Sequence, residues 1–135
     1  MMTVRPLRTL AALTAGMAAL LLGACQREAK IGIEQAGGDT AFTVTAAGGD
    51  PDICVGSLHV TDLDAKPSTA WHVLQTDAAA KAGQCASRFT YGSAPHGYNS
   101  PAAAPPLVDG HRYRVSVSGH GVIGQREFIA GASAP

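Results

Sequence analysis

RYRVSVS, residues 112–118, is the clearest structural signal in this 135-residue chain. Tyr113, Val115 and Val117 fall on one face of an extended chain, and arginine and serine side chains occupy the other face. Because side chains of a strand point alternately to the two faces of a sheet, this pattern predicts a β-strand with one buried face. The glycines on either side of His120 predict a turn, and residues 122–129 predict the partner strand of a hairpin.

Further strand-like segments precede this hairpin. Apolar and β-branched residues are concentrated in residues 40–45, 53–61, 70–76 and 87–91, and stretches rich in glycine or proline separate them. Helical periodicity is almost absent, and the alanine-rich residues 77–82 predict no more than one helical turn. Short strands with this punctuation predict an all-β protein, a small antiparallel β-sandwich.

The segment from Leu107 through Tyr113 and the glycine-rich turn resembles the tyrosine corner and following hairpin of fibronectin type III domains. A leucine lies six residues before Tyr113, Gly110 lies three before it, and alternating valines follow, although Asp109 stands where those domains often carry proline. The resemblance implies an immunoglobulin-like sandwich. It also implies that Tyr113 packs its ring inward and bonds its hydroxyl to backbone upstream.

The first 25 residues have the order of a secretory signal peptide: Arg5 and Arg8, an apolar run from 10 to 22, then two small residues and Cys25. Leu-Gly-Ala-Cys at 22–25 closely resembles the lipobox of bacterial lipoproteins. The resemblance implies that Cys25 carries covalent lipid, palmitate included, and becomes the first residue of the mature protein. An ordinary cleaved signal and an uncleaved anchor are the alternatives, but the apolar run is shorter than the roughly 20 residues that a spanning helix needs.

These signals predict four parts of the chain. Residues 1–24 are a lipoprotein signal peptide, residues 25–39 the lipidated cysteine and a flexible tether, residues 40–130 the β-sandwich, and residues 131–135 a tail. Ile31 and Ile33 alternate within the tether, which leaves a first edge strand as an open alternative. In the lipoproteins that this signal resembles, a residue other than aspartate after the cysteine favours the outer membrane, so the resemblance implies that Gln26 directs lipid anchoring there, facing the periplasm of the bacterial cell envelope.

Charge and composition limit the function classes. Once Arg5 and Arg8 are set aside, eight basic residues remain against ten acidic ones, and no basic patch predicts nucleic-acid binding. With no polybasic stretch either, the predicted membrane association depends on the lipid alone. No cofactor other than this covalent lipid is predicted.

Cys54 and Cys85 remain once Cys25 is assigned to lipid. An even pair in a small domain of an oxidising compartment predicts a structural disulfide. The loop that it would close is about 31 residues, so the expected stabilisation is about 3 to 4 kcal/mol.

The remaining polar residues predict no catalytic or metal site. The chain lacks Gly-x-Ser-x-Gly, a glycine-rich phosphate loop and His-Glu-x-x-His, so we predict no enzyme and name no catalytic residue. Its five histidines form no His-x-His or His-x-x-x-His pair, although His59 and His72 could meet across strands. Zinc or copper binding through histidines is therefore kept as an alternative, and a small hydrolase as a weaker one.

The sequence thus predicts a non-catalytic binding or structural module, anchored to the membrane by lipid, with another envelope protein as its partner. The proline-rich loop between 91 and 106 is the predicted contact, through an exposed His96 and an exposed Tyr98.

Overall fold

The structure is a computed structural model that describes residues 26–49, 53–66 and 68–132, so the signal segment and Cys25 lie outside it. Within these ranges the chain forms eight strands and one short helix: β1 (Arg27–Ala36), β2 (Asp39–Ala46), β3 (Ser57–Asp62), β4 (Thr69–Gln75), α1 (Asp77–Lys81), β5 (Arg88–Thr90), β6 (Tyr98–Asn99), β7 (Arg112–Gly119) and β8 (Val122–Ile129). The all-β prediction is confirmed. No helix among the described residues is long and apolar enough to cross a membrane.

The strands form one curled sheet in the order β5-β2-β1-β8-β7-β3-β4-β6. Neighbouring strands are antiparallel except β1 and β8, which run parallel and pair at Arg27 with Val122 and at Glu28 with Ile123. Further along, side chains join these two strands, since the Arg126 guanidinium donates to the Ile31 carbonyl at 2.8 Å. Curling brings the β5-β2-β1 part over the larger β8-β7-β3-β4-β6 part, as in a small sandwich.

The predicted tether is wrong over most of its length, because Arg27–Ala36 is strand β1. It pairs with β2 from Ala29 opposite Ala46 to Ala36 opposite Asp39, and it lies inside the sheet instead of at an edge. Ile31 is only 3 % exposed. Backbone pairing on both sides and an apolar inner face hold this segment, so the folded domain begins at residue 27 and not at 40.

The core lies between the inward faces of the two parts of the sheet. Its largest fully buried side chains are Trp71, Tyr113, Phe42, Phe89 and Leu58. The Tyr113 hydroxyl accepts a hydrogen bond from the Val108 N–H at 2.8 Å, and its ring stacks on Phe128 with centroids 5.5 Å apart. The predicted inward packing and upstream backbone bond of Tyr113 are therefore confirmed.

The predicted disulfide is confirmed: Cys54 and Cys85 are bonded, with Cα atoms 5.0 Å apart. It joins the segment entering β3 to the segment that follows α1. The predicted helical turn is also present as α1, which begins where the Thr76 hydroxyl accepts the Ala79 N–H at 3.1 Å. This local capping explains why one turn of helix forms in a β protein.

The predicted tail is folded at its start. The Gly131 N–H donates to Gln35 Oε1 at 2.8 Å, which ties the end of β8 to the end of β1. Residues 133–135 lie outside the described residues.

Candidate functional site

The outward face of the larger part of the sheet carries a histidine pair. In the register of β3 and β4, His59 lies directly opposite His72, and on its other side His59 lies opposite Ser116 of β7. Gln125 of β8 completes this row of side chains across four strands. Strand alternation accounts for the placement, since the neighbours of His59 and His72 along each strand point into the core.

The two imidazole rings are stacked. Their centroids are 3.6 Å apart and their planes are inclined by 23°. Partial burial and the nearby His72 ring together lower the pKa of His59, which favours its neutral form. Nε2 of His72 is buried and makes no hydrogen bond with the described residues. A neutral imidazole with a free ring nitrogen can accept a hydrogen bond or ligate a metal ion.

A shallow groove of about 410 Å³ runs beside this pair. Ser118 and Ile123 line it together with His59, Ser116 and Gln125, and the side chain of Ser118 is hydrogen-bonded to that of Ser57 with oxygens 2.9 Å apart. Ile123 is 51 % exposed, and Leu74 on the far side of the same face is 42 % exposed. The face therefore combines two exposed aliphatic side chains with hydroxyl, amide and imidazole groups.

The alternative of a histidine metal site is left with two histidine side chains by this geometry. Of the five histidines, the register brings together His59 and His72, as the sequence had left open. No group of three or more histidine, cysteine, aspartate or glutamate side chains suited to a metal ion occurs among the described residues. Two protein ligands are fewer than the three or four of usual zinc sites, so water or a partner would have to complete the coordination.

His111 is engaged in a different network. Its Nδ1 lies 3.0 Å from Oδ2 of the buried Asp62, and the Asp64 N–H donates to Oδ1 of the same carboxylate at 2.9 Å. The hydrogen bond with His111 is the main cause of the lowered pKa of Asp62, with the Asp64 N–H acting in the same direction. A carboxylate–imidazole pair can orient a general base, but no described serine, threonine or cysteine side chain is hydrogen-bonded to this ring. Its evident role is to fix the turn after β3.

His120 has a structural partner as well. It occupies the turn between β7 and β8 with φ 48°, and its Nε2 lies 2.8 Å from Gln75 Oε1. The Gln75 amide in turn donates to the Gln84 carbonyl at 2.7 Å. These contacts tie the hairpin tip to the segment that carries Cys85.

The predicted partner contact is wrong for Tyr98 and remains a prediction for His96. His96 is exposed, but Tyr98 is 5 % exposed and belongs to the core. The Tyr98 hydroxyl donates to the Val55 carbonyl at 2.7 Å and accepts the Ala86 N–H at 3.0 Å. These are the residues that follow the two disulfide cysteines, so Tyr98 fastens the same two segments as the disulfide does.

The candidate face was missed by sequence reasoning because its members come from four separate strands. Only the strand register brings His59 beside His72 and places Ile123 in the same groove. The available signal was the pattern of the hairpin strands near their turn, where the outward positions of both strands carry serine, glutamine and isoleucine and the charged residues lie farther away. The chain matches no protein-family model, no curated protein and no solved structure.

Proposed function

We propose that this protein is a lipoprotein of the bacterial cell envelope, held at a membrane by lipid on Cys25, whose β domain binds another envelope protein without catalysis. The observation that carries the proposal is the order of two arginines, an apolar run and Leu-Gly-Ala-Cys at 22–25. The outer membrane, facing the periplasm, is the proposed location. The confirmed disulfide supports an oxidising compartment.

On the outward face of the larger part of the sheet, the proposed binding surface is the part around the groove, which includes His59, Ser118 and Ile123 and excludes the far end of β8 at Ile129. Register pairing places Leu74, Ser57, Ser118 and Ile123 in one row across four strands. Three strand spacings separate the two aliphatic ends of this row by about 14 Å. Exposed aliphatic side chains framing small hydrogen-bonding groups are the composition expected of a protein contact.

The anchoring step is tested by Cys25→Ser in the producing bacterium. Wild type should incorporate labelled palmitate and sediment with membranes, whereas Cys25→Ser should lose the label and leave the membrane fraction. Gln26→Ser is the matched control and should keep both properties. Membrane retention of Cys25→Ser without label would contradict lipid anchoring.

The binding face is tested by Ile123→Asp with Ile129→Asp as its control. Both isoleucines lie on β8 and are about equally exposed, but only Ile123 lines the groove. After chemical crosslinking in intact cells, Ile123→Asp should lose an envelope protein that wild type and Ile129→Asp both retain. Equal retention by both variants would rule out the groove as the contact.

The stacked histidine pair favours a second candidate function, binding of zinc or copper at the same face. His59 and His72 offer two ring nitrogens from adjacent strands at a 3.6 Å ring separation. Titration with zinc or copper, monitored by calorimetry, should show one site per chain. His59→Gln and His72→Gln should each abolish that site. His96→Gln, on the exposed loop, should leave that site intact, and an absence of metal binding by wild type would discard this candidate.

A further inference from the structure

The distance from Cys25 to the folded domain is very short. Gln26 is the one residue between Cys25 and Arg27, where β1 begins. Two residues of fully extended chain span at most about 7 Å between Cα atoms. A lipid on Cys25 would therefore hold the start of β1 close to the headgroups, because the connecting chain is too short to let the domain move away from the membrane.

Two turns flank the start of β1. The Arg27 N–H donates to the carbonyl of Gly121, in the tip of the β7–β8 hairpin, at 2.6 Å. On the other side, the Ala47 N–H, just after β2, donates to the Glu28 carbonyl at 3.0 Å. We call this end of the domain, formed by the start of β1, residues 47–49 and residues 119–121, the proximal pole.

We infer that the proximal pole lies against the phospholipid headgroups of the anchoring membrane and that the strands run away from the bilayer. This inference rests on the proposed lipid attachment at Cys25. The bilayer itself occupies this surface, because only Gln26 separates the lipid-bearing Cys25 from the start of β1. The lipid can therefore hold only the end of the domain at which β1 begins.

The composition of the proximal pole agrees with close approach to a membrane. Its two turns contain alanine, glycines and the single His120, and the start of β1 adds one exposed cation, Arg27, and one exposed carboxylate, Glu28. Small turn residues allow the backbone to approach the headgroup region closely. The lipid supplies the binding free energy, so the pole needs no basic patch of its own.

The opposite, distal pole lies far from the membrane in this arrangement. The ten residues of β1 place Ala36 about 30 Å beyond Arg27 along the strand. A cleft of about 390 Å³ opens there among Gln35, Asp39, Tyr91, Asp109 and their neighbours. This cleft would face the aqueous compartment.

Photocrosslinking tests the orientation with a matched pair of exposed alanines. Ala47 lies at the proximal pole and Ala36 at the distal pole, at opposite ends of the β1–β2 pair. The full chain is produced in the native bacterium with benzoylphenylalanine replacing one alanine, and membranes containing labelled phospholipid are illuminated. We expect at least five times more lipid adduct from position 47 than from position 36.

Three results decide between the inference and the proposal beneath it. Lipid on the Cys25 peptide with the expected ratio supports both, and lipid with equal or reversed yields overturns the orientation alone. Absence of lipid on Cys25 overturns the proposed function and the orientation with it.

Insertion of about ten glycine and serine residues between Gln26 and Arg27 lengthens the chain to a root-mean-square span of about 18 Å. The position 47 yield should then fall toward that of position 36, and an unchanged yield would show that the short chain does not set the contact.

Discussion

Tyr98→Phe should destabilise the domain by about 2 to 4 kcal/mol, although it removes only one oxygen atom. That hydroxyl donates to the Val55 carbonyl at 2.7 Å and accepts the Ala86 N–H at 3.0 Å. Val55 and Tyr98 are both buried, so water cannot readily replace the lost partner. The buried Val55 carbonyl left without a partner costs about 1 to 3 kcal/mol, and the partly buried Ala86 N–H adds about 1 kcal/mol.

The same hydroxyl should be coupled to the disulfide. Val55 follows Cys54 and Ala86 follows Cys85, so both connections hold the same two segments together. A double-mutant cycle between Tyr98→Phe and the cysteine pair should therefore give an interaction energy of at least about 0.5 kcal/mol. Simple additivity would show that the two connections act independently.

The free energy of unfolding can be measured in urea through Trp71. It is the single tryptophan of the chain, it is buried, and its ring meets Tyr91 edge-on at 5.4 Å. Far-ultraviolet circular dichroism provides the second probe. Tyr91→Phe is the control, since among the described residues its hydroxyl makes a single hydrogen bond, to the Pro105 carbonyl, and its loss should cost about 1 kcal/mol. A free energy of unfolding for Tyr98→Phe within about 0.5 kcal/mol of the wild-type value would refute the bridging role.

Three further predictions concern the disulfide, a close strand contact and a carboxylate. Replacing both Cys54 and Cys85 by alanine should cost about 3.7 kcal/mol from loop entropy, measured as urea midpoint times slope; a loss below about 1 kcal/mol would contradict it. Gly124→Ala should lower stability by about 1 to 3 kcal/mol, because a Cβ there would lie 2.6 Å from a β1 carbonyl oxygen; an unchanged melting temperature would show that β1 and β8 separate freely. The pKa of Asp62 is lower in the folded protein than its ordinary value near 4, so the ionised carboxylate stabilises the fold. This stabilisation is complete above the ordinary pKa and is lost as the pH falls through the lower pKa of the folded state. Asp62→Asn should accordingly lower the melting temperature at pH 7 and have less effect in acid, and a difference independent of pH would refute this.

The parts of the fold that sequence could predict are those fixed by local pattern. The β7–β8 hairpin was predicted because seven alternating residues and a glycine-rich turn define it without reference to distant segments. The disulfide was predicted from compartment and cysteine number. Tyr113 was placed by a resemblance confined to its own neighbourhood, and its bond to Val108 spans only five residues.

The predicted tether is wrong because the polar residues before β2 have the composition of a linker although they form strand β1. Gly37-Gly38 was the missed signal: both residues have positive φ, 60° and 84°, as a two-residue hairpin turn requires. Recognising that turn would have joined residues 27–36 to β2 as a hairpin. Their inner position in the sheet, however, depends on pairing with β8, about 95 residues away, and no local pattern encodes that contact.

Tyr98 and the pair of His59 and His72 show the same limit of prediction from sequence. A tyrosine among prolines and glycines reads as exposed, yet long-range bonds to Val55 and Ala86 bury it. His59 and His72 are thirteen residues apart with no spacing motif, yet the β3–β4 register stacks them. In each case, pairing between segments distant in sequence determines where the side chain lies. Composition and residue spacing do not predict such pairing.

The corrected start of β1 also restricts where a partner could bind under the two proposals above. A long tether would let every face of the domain turn toward the aqueous compartment, whereas a two-residue connection fixes the strand direction relative to the membrane. Ile123 pairs with Glu28, the second residue of β1, so the groove begins near the headgroups and extends away from them beside His59. Because this face runs along the strands, it stands roughly perpendicular to the bilayer. A protein that binds it must then approach along the membrane surface, which favours a partner held at the same membrane over one that diffuses freely.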